Sequence, residues 1–128
     1  MRLRDLKYLM LIDNHCRRIS TKVKCCKSEQ EYMADLDTME ICAFNLMQIG
    51  EATTKLSNAF TDQHPDIPWD DIKGLRQHVV HNYEGIDHTV VWETIIDDIP
   101  QLAQFTGGIL KSERQREASR DADQTSID

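Results

Sequence analysis

Apolar positions recur three and four residues apart along most of the chain, and nowhere do they alternate singly as a half-buried strand would require. In the first stretch Leu9, Ile12, Cys16, Ile19 and Val23 make one seam, which predicts a helix packed along its length. Residues 25–35 interrupt the pattern, with room for a short helical turn. The spacing resumes through Leu36, Met39, Ala43, Leu46, Ile49, Thr53, Leu56 and Phe60 and predicts a second long helix. Asp62-Gln-His-Pro65-Asp-Ile-Pro68 then reads as a loop, because its two prolines stop a helix. Trp69, Asp70 and Asp71 open a third helix, the acids lying where the helix dipole favours negative charge. That helix is expected to run to about Asn82, with Gly85 marking its end. A fourth covers roughly Asp87 to Leu110, with Val91, Ile95, Ile99, Leu102 and Phe105 on one side. Pro100 should kink or divide it.

From Lys111 onward the sequence KSERQREASRDADQTSID loses all apolar period and reads as a frayed end and disordered tail. The expected fold is therefore all-α. It is an antiparallel bundle of four main helices over residues 1–110, followed by the tail 111–128. At 128 residues there is room for one domain. No run of eighteen apolar residues exists, so no membrane-spanning helix is expected. Asp5, Lys7 and Asp13 break the apolar stretch at the N-terminus, which argues against a signal peptide and for a cytoplasmic protein. Cys16, Cys25, Cys26 and Cys42 have neither a C-x-x-C spacing nor a histidine at finger-like distance. Cys16 and Cys42 fall where apolar residues belong and read as small core side chains, while the adjacent Cys25 and Cys26 read as exposed.

Charge changes this picture more by its distribution than by its sum of −7. Residues 1–27 hold eight Lys or Arg against two acids, and the remaining residues hold seven against twenty. A basic first helix, with Arg17, Arg18, Lys22 and Lys24 as candidates, would offer a phosphate-tracking face on an otherwise acidic body. The same residues would equally serve to pair with acidic neighbours or an acidic partner.

Usable chemistry concentrates in Arg76-Gln-His-Val-Val-His81-Asn-Tyr83. An arginine stabilises phosphate charge, a histidine moves a proton, and a tyrosine presents a hydroxyl. Upstream, Gly50 lies inside the second helix, where glycine costs about 1 kcal/mol relative to alanine and commonly permits close helix approach. Glu51 would then lie beside the crossing, within reach of a basic group on the facing helix. On a helical wheel with Arg76 at 0°, Val79, Ile72, Tyr83 and Val80 fall between about −60° and +40°, so Arg76 sits in the apolar arc. His81 falls at about 140°, away from Arg76 on a straight helix. Either the helix unwinds near Asn82, or the two residues meet through a second copy of the chain. Each residue also has a structural reading: an ion pair with Glu51 for Arg76, the helix dipole for His81, a core ring for Tyr83. His15, His64 and His88 read as surface residues.

The stretches MQIGEATTKLS, PDIPWDDIKGLRQHVVHNYEGID and VVWETIIDDIPQL resemble, in order and spacing, segments of the HEPN ribonucleases, specifically the HepT-type toxins of prokaryotic toxin–antitoxin pairs. The resemblance spans about three-quarters of the chain and includes the Arg76-x4-His81-x-Tyr83 signature. Two departures stand out. Gln77 occupies a position that is often Asn or Asp in the family, and the basic, cysteine-containing first segment is similar only in its helical character.

The resemblance implies a dimeric, metal-independent endoribonuclease, with no cofactor, in which Arg76 and His81 of both protomers line one cleft. His81 would transfer protons and Arg76 would stabilise the charged phosphorane, with Glu51 and Gln77 as orienting groups and RNA as substrate. It further implies a type VII toxin–antitoxin system, in which a minimal nucleotidyltransferase antitoxin transfers AMP to Tyr83. A non-catalytic helical scaffold for a nucleotidyltransferase is the alternative. A metal held by His78 and His81 is a remoter one, because three-residue spacing supplies two ligands and no evident third.

Overall fold

Eight helices and one short β-ladder make up the described residues, 1–81 and 85–125, of a computed structural model. In chain order they are α1 (Leu3–Val23), α2 (Glu29–Met33), α3 (Leu36–Thr54), α4 (Asn58–Asp62), α5 (Trp69–Lys73) and α6 (Leu75–Val79), then strands β1 (Val80–His81) and β2 (Gly85–Ile86), then α7 (His88–Asp97) and α8 (Ile99–Thr125). The all-α class holds, and no helix among the described residues is long and apolar enough to cross a membrane. The long helices are α1, α3 and α8, with α1 lying against both of the others. The flank of α3 turned away from α1 receives α5 and α6.

Two of the expected helix starts coincide with side-chain caps, whereas α1 and α5 begin without one. Asp35 accepts the amide of Thr38 at 3.1 Å to begin α3, and Asp87 accepts the amides of Thr89 and Val90 to begin α7. Such caps satisfy amides that the helix itself leaves unbonded. The short turn expected within residues 25–35 is α2, capped by Ser28.

Three expected helices are divided. The second ends at Thr54, because Ser57 caps a separate α4 through the amide of Phe60; Leu56 and Phe60 still reach the core. The third breaks at Gly74 and ends at Val79 rather than near Asn82. There the consecutive β-branched Val79 and Val80 favour extended backbone over another helical turn. Val80 pairs with Ile86 and His81 with Gly85, so Gly85, at φ +91°, serves a hairpin rather than a helix end. The fourth divides at Asp98, just ahead of Pro100. The proline sits in the first turn of α8, where its missing N–H is not required.

α8 also continues to Thr125, beyond the expected end near Leu110. No side chain from Lys111 to Asp123 is buried, so the core stops at Leu110 and the remaining turns are built of strong helix formers such as Glu, Arg and Ala.

Two acids that seemed to interrupt the first apolar seam are buried and fully used. Asp5, 2% exposed, accepts both the amide and the hydroxyl of Ser57 at 2.7 Å each, and the Ser57 oxygen in turn accepts the Phe60 amide at 3.1 Å. Asp13 accepts the Thr106 hydroxyl at 3.0 Å through one oxygen and pairs with Arg17 at 3.1 Å through the other. These carboxylates fasten α1 to the start of α4 and to α8. Cys16 and Cys42 are core side chains as expected, Cys25 is exposed, and Cys26 is half-buried rather than exposed. Burial first, and Asp13 second, push the Cys16 thiol up to about 12; burial likewise raises Cys42 to about 11.

Replacing Ser57 by alanine removes a cap and leaves one oxygen of a buried carboxylate without its donor. Ser57→Ala should lower the unfolding free energy by about 1–3 kcal/mol in urea melts. A change below about 0.5 kcal/mol would mean the link is idle.

Candidate active site where α6 meets the hairpin

The site is set by how closely α3 approaches α5. A Cβ on Gly50 would lie 3.1 Å from the carbonyl oxygen of Ile72 and 3.5 Å from the Leu75 Cβ. A contact of 3.1 Å against backbone is tighter than most Cβ contacts, so a side chain here would make the Ile72 carbonyl give by a few tenths of an ångström, and glycine avoids that. Ile72, Leu75 and Val79 are buried behind it, which fixes the phase of α5 and α6 against α3.

That phase brings Glu51, the residue after the glycine, to Arg76. The Arg76 Nη1 donates to the Glu51 Oε1 at 3.2 Å. This pair is the one expected from the sequence, but its surroundings differ: the side chains are 68% and 51% exposed. Arg76 does not occupy the apolar arc: of the residues that helped to define it, Val80 lies in β1 rather than the helix, and Tyr83 is outside the described residues. The buried residues of α6 itself, Leu75 and Val79, centre about 80° from Arg76 and leave it on the flank.

The same helix end changes the position of His81. It lies in β1, two residues after the last residue of α6, so the angle expected for a straight helix does not apply to it. Its backbone is registered by pairing with Gly85, and the Asp87 amide donates to the Val79 carbonyl at 2.8 Å, closing the hairpin onto α6. Tyr83, the expected modification site, lies outside the described residues. Gln77 and His78 are exposed on α6, and Gln77 has no hydrogen bond among the described residues. Among the described residues, no three His, Cys, Asp or Glu side chains gather as a metal would need.

The four basic residues singled out on α1 are all exposed but divide between its flanks. Arg17 is engaged with Asp13 on the side facing α8. Arg18 lies three residues after His15, and Lys22 four after Arg18, on the edge turned toward α3; Lys24 caps the C-terminus of the helix.

The three histidines expected at the surface are each partly buried. His15 Nδ1 lies 2.7 Å from the Asn45 Oδ1, across the α1–α3 seam. His64 packs between Phe60 and Phe105, with ring centroids 4.7 and 5.0 Å away, and its carbonyl accepts the Trp69 indole N–H at 2.9 Å. The Nδ1 of His88 is buried without a hydrogen-bond partner among the described residues. No local spacing announces this aromatic group, since its members come from α4, the following loop, α5 and α8. Near α6, partial burial first, then Asp97 and Asp71, raise the Asp98 carboxyl, and His78 partly offsets them.

An exposed ion pair contributes about 0–1 kcal/mol. Glu51→Gln and Arg76→Gln should therefore each shift the unfolding free energy by less than about 1 kcal/mol in chemical denaturation. A loss above about 2 kcal/mol in either variant would make the pair a structural clamp rather than part of a site.

A family model described as "Ribonuclease HepT-like" matches residues 12–109. Among curated proteins, one from Caldanaerobacter subterraneus subsp. tengcongensis named "Putative RNase" is 32% identical over 107 residues, 84% of this chain and 95% of its own. A "Probable ribonuclease HepT" of Thermococcus cleftensis is 36% identical over 73 residues, 57% of this chain and 66% of its own. One from Methanocaldococcus jannaschii named "Putative RNase" is 37% identical over 54 residues, 42% of this chain and 50% of its own. No solved structure matches significantly.

Proposed function

Because the chain belongs to the HepT-like ribonuclease family, we propose that it cuts RNA without a metal, at a site made of Arg76 and His81 from two copies of the chain. The observation that carries this reading is the exposed Arg76–Glu51 pair at 3.2 Å, three residues before the end of α6 and five before His81 in the hairpin. A guanidinium held by one carboxylate, with more than half of its side chain open to solvent, is oriented yet free to meet a phosphate. An arginine serving only stability would gain little from such a place.

Cleavage needs an attacking 2′-hydroxyl, a base to take its proton and an acid to supply the leaving 5′-oxygen. The new bond joins the 2′-oxygen to phosphorus as the bond to the 5′-oxygen breaks, leaving a 2′,3′-cyclic phosphate and a free 5′-hydroxyl. An imidazole titrates near neutrality and so suits either proton transfer, and His81 supplies it. Arg76 binds the phosphorane oxygens, where charge accumulates in the transition state. Glu51 orients Arg76. A second protomer brings the partner's Arg76 and His81 to the same cleft.

Tyr83 follows His81 by two residues, so a group added there would stand beside the scissile phosphate. In the toxin–antitoxin reading, a nucleotidyltransferase antitoxin joins the Tyr83 oxygen to the α-phosphate of ATP and releases pyrophosphate. The added charge and bulk repel RNA and close the cleft.

His81→Ala should abolish RNA cleavage by at least about a hundredfold while the dimer survives in sizing chromatography. EDTA should leave the wild-type rate and the cyclic-phosphate product unchanged. Loss in EDTA with recovery on adding a divalent metal would sink the mechanism. Loss of activity only through Arg76→Ala, and only by dissociation, would favour the scaffold reading.

Peptide mass spectrometry after incubation with ATP and the nucleotidyltransferase should find one AMP, on Tyr83. Its presence on any other residue, or its absence, removes the switch from the proposal without touching the cleavage site.

A further inference from the structure

The basic residues of α1 are not spread evenly around it. On a helical wheel centred on the buried seam, Arg4, Lys7, Arg18 and Lys22 all fall to one side, whereas Arg17 and Lys24 fall to the other. Two contacts identify the first of these sides as the edge facing α3: the Arg4 Nε donates to the Lys55 carbonyl at 3.1 Å, and His15 meets Asn45. Arg17 marks the opposite flank, since its partner Asp13 also accepts Thr106 of α8. The α3-facing edge thus carries Arg4 and Lys22, with Arg18 and Lys7 further round on the same side toward the solvent face, all exposed, over about 27 Å of helix. It carries no acid. The two carboxylates of α1, Asp5 and Asp13, are buried and bonded elsewhere.

Beside that edge, α3 exposes Phe44, 52% accessible. Asn45 faces α1 and Gly50 faces α5; on the wheel they lie about 100° and about 120° to either side of Phe44, which is therefore the ridge of α3. Glu51, seven residues on, lies on nearly the same line about 10 Å further along, where it meets Arg76. A row of cations next to an exposed ring, leading toward an oriented arginine, is the combination that holds single strands: charge follows the backbone and the ring stacks a base. Asp37 and Glu40, on the Phe44 side of α3 toward its N-terminus, bound the track at its Lys22 end.

We infer that Arg4, Lys7, Arg18 and Lys22, with Phe44, form a track that holds single-stranded RNA as it approaches Arg76; the inference rests on the ribonuclease reading above. Binding should be measured with the full chain and a 2′-O-methyl oligoribonucleotide, whose blocked hydroxyl cannot attack, by fluorescence anisotropy over a KCl series.

The double variant Arg18→Gln/Lys22→Gln should bind at least about tenfold more weakly at low salt. Its log–log salt slope should flatten by about 1.4, the value for two lost phosphate contacts on a single strand. Phe44→Ala should weaken binding about fivefold or more with an unchanged slope. Arg17→Gln/Lys24→Gln, which removes the same charge from the other flank, should stay within about twofold of wild type. Circular dichroism melts check that each variant remains folded.

Equal losses from the two double variants would reduce the effect to net charge and overturn the track. Wild-type binding by Arg18→Gln/Lys22→Gln would also overturn it, and loss of a co-purifying protein in that variant would reassign the edge to protein docking. Track variants that bind normally, while His81→Ala still abolishes cleavage, would remove the track and leave the ribonuclease reading intact. Binding that follows the track in a wild-type chain that cuts no RNA would do the reverse.

Discussion

The architecture turns on a missing side chain. At Gly50 the backbone of α5 comes so close to α3 that even a methyl group would press on the Ile72 carbonyl at 3.1 Å. Glycine inside a helix costs about 1 kcal/mol, but the approach it allows buries Ile72, Leu75 and Val79, each contributing about 1.5–3 kcal/mol on full burial. Were the two elements an ångström or two further apart, Glu51 would no longer reach Arg76 at hydrogen-bonding distance. The geometry of the site is thus a by-product of helix packing, fixed two turns before the hairpin that carries His81.

The main outline was legible from periodicity because the core residues of α1 and α3 follow one helical face for their whole length. The close approach at Gly50 and the reach of Glu51 were legible for the same reason: both depend only on position along a regular helix. The breaks were harder to see. Ser57 and Val79-Val80 interrupt their helices through capping and branching, each able to override an apolar period that continues across it, as it does through Leu56 and Phe60. The placement of Arg76 failed in sequence as a direct result, because the wheel counted Val80, which lies in β1, as helical. The aromatic group around His64 lay beyond any local pattern, since Phe105 joins it from α8, forty-one residues after His64.

The carboxylates of α1 show how charge can mislead when read along the chain. Asp5 and Asp13 look like polar interruptions of an apolar seam, yet each lies on the buried face and binds another element. Because these acids are engaged elsewhere, the basic residues on the α3-facing edge of the helix meet no carboxylate of α1, while Arg17 on the other edge does. An imbalance visible in composition becomes a directed one only through that packing.

α6 is five residues long, far below what holds a helix together in water by itself. Its shape is borrowed from Leu75 and Val79, which sit in the core, and from the hairpin that follows. A segment of this kind belongs to the part of a protein that opens locally at a free energy below that of global unfolding. The residues that anchor Arg76 are therefore the apolar neighbours on its own short helix, and any change that loosens them acts on the arginine without touching it.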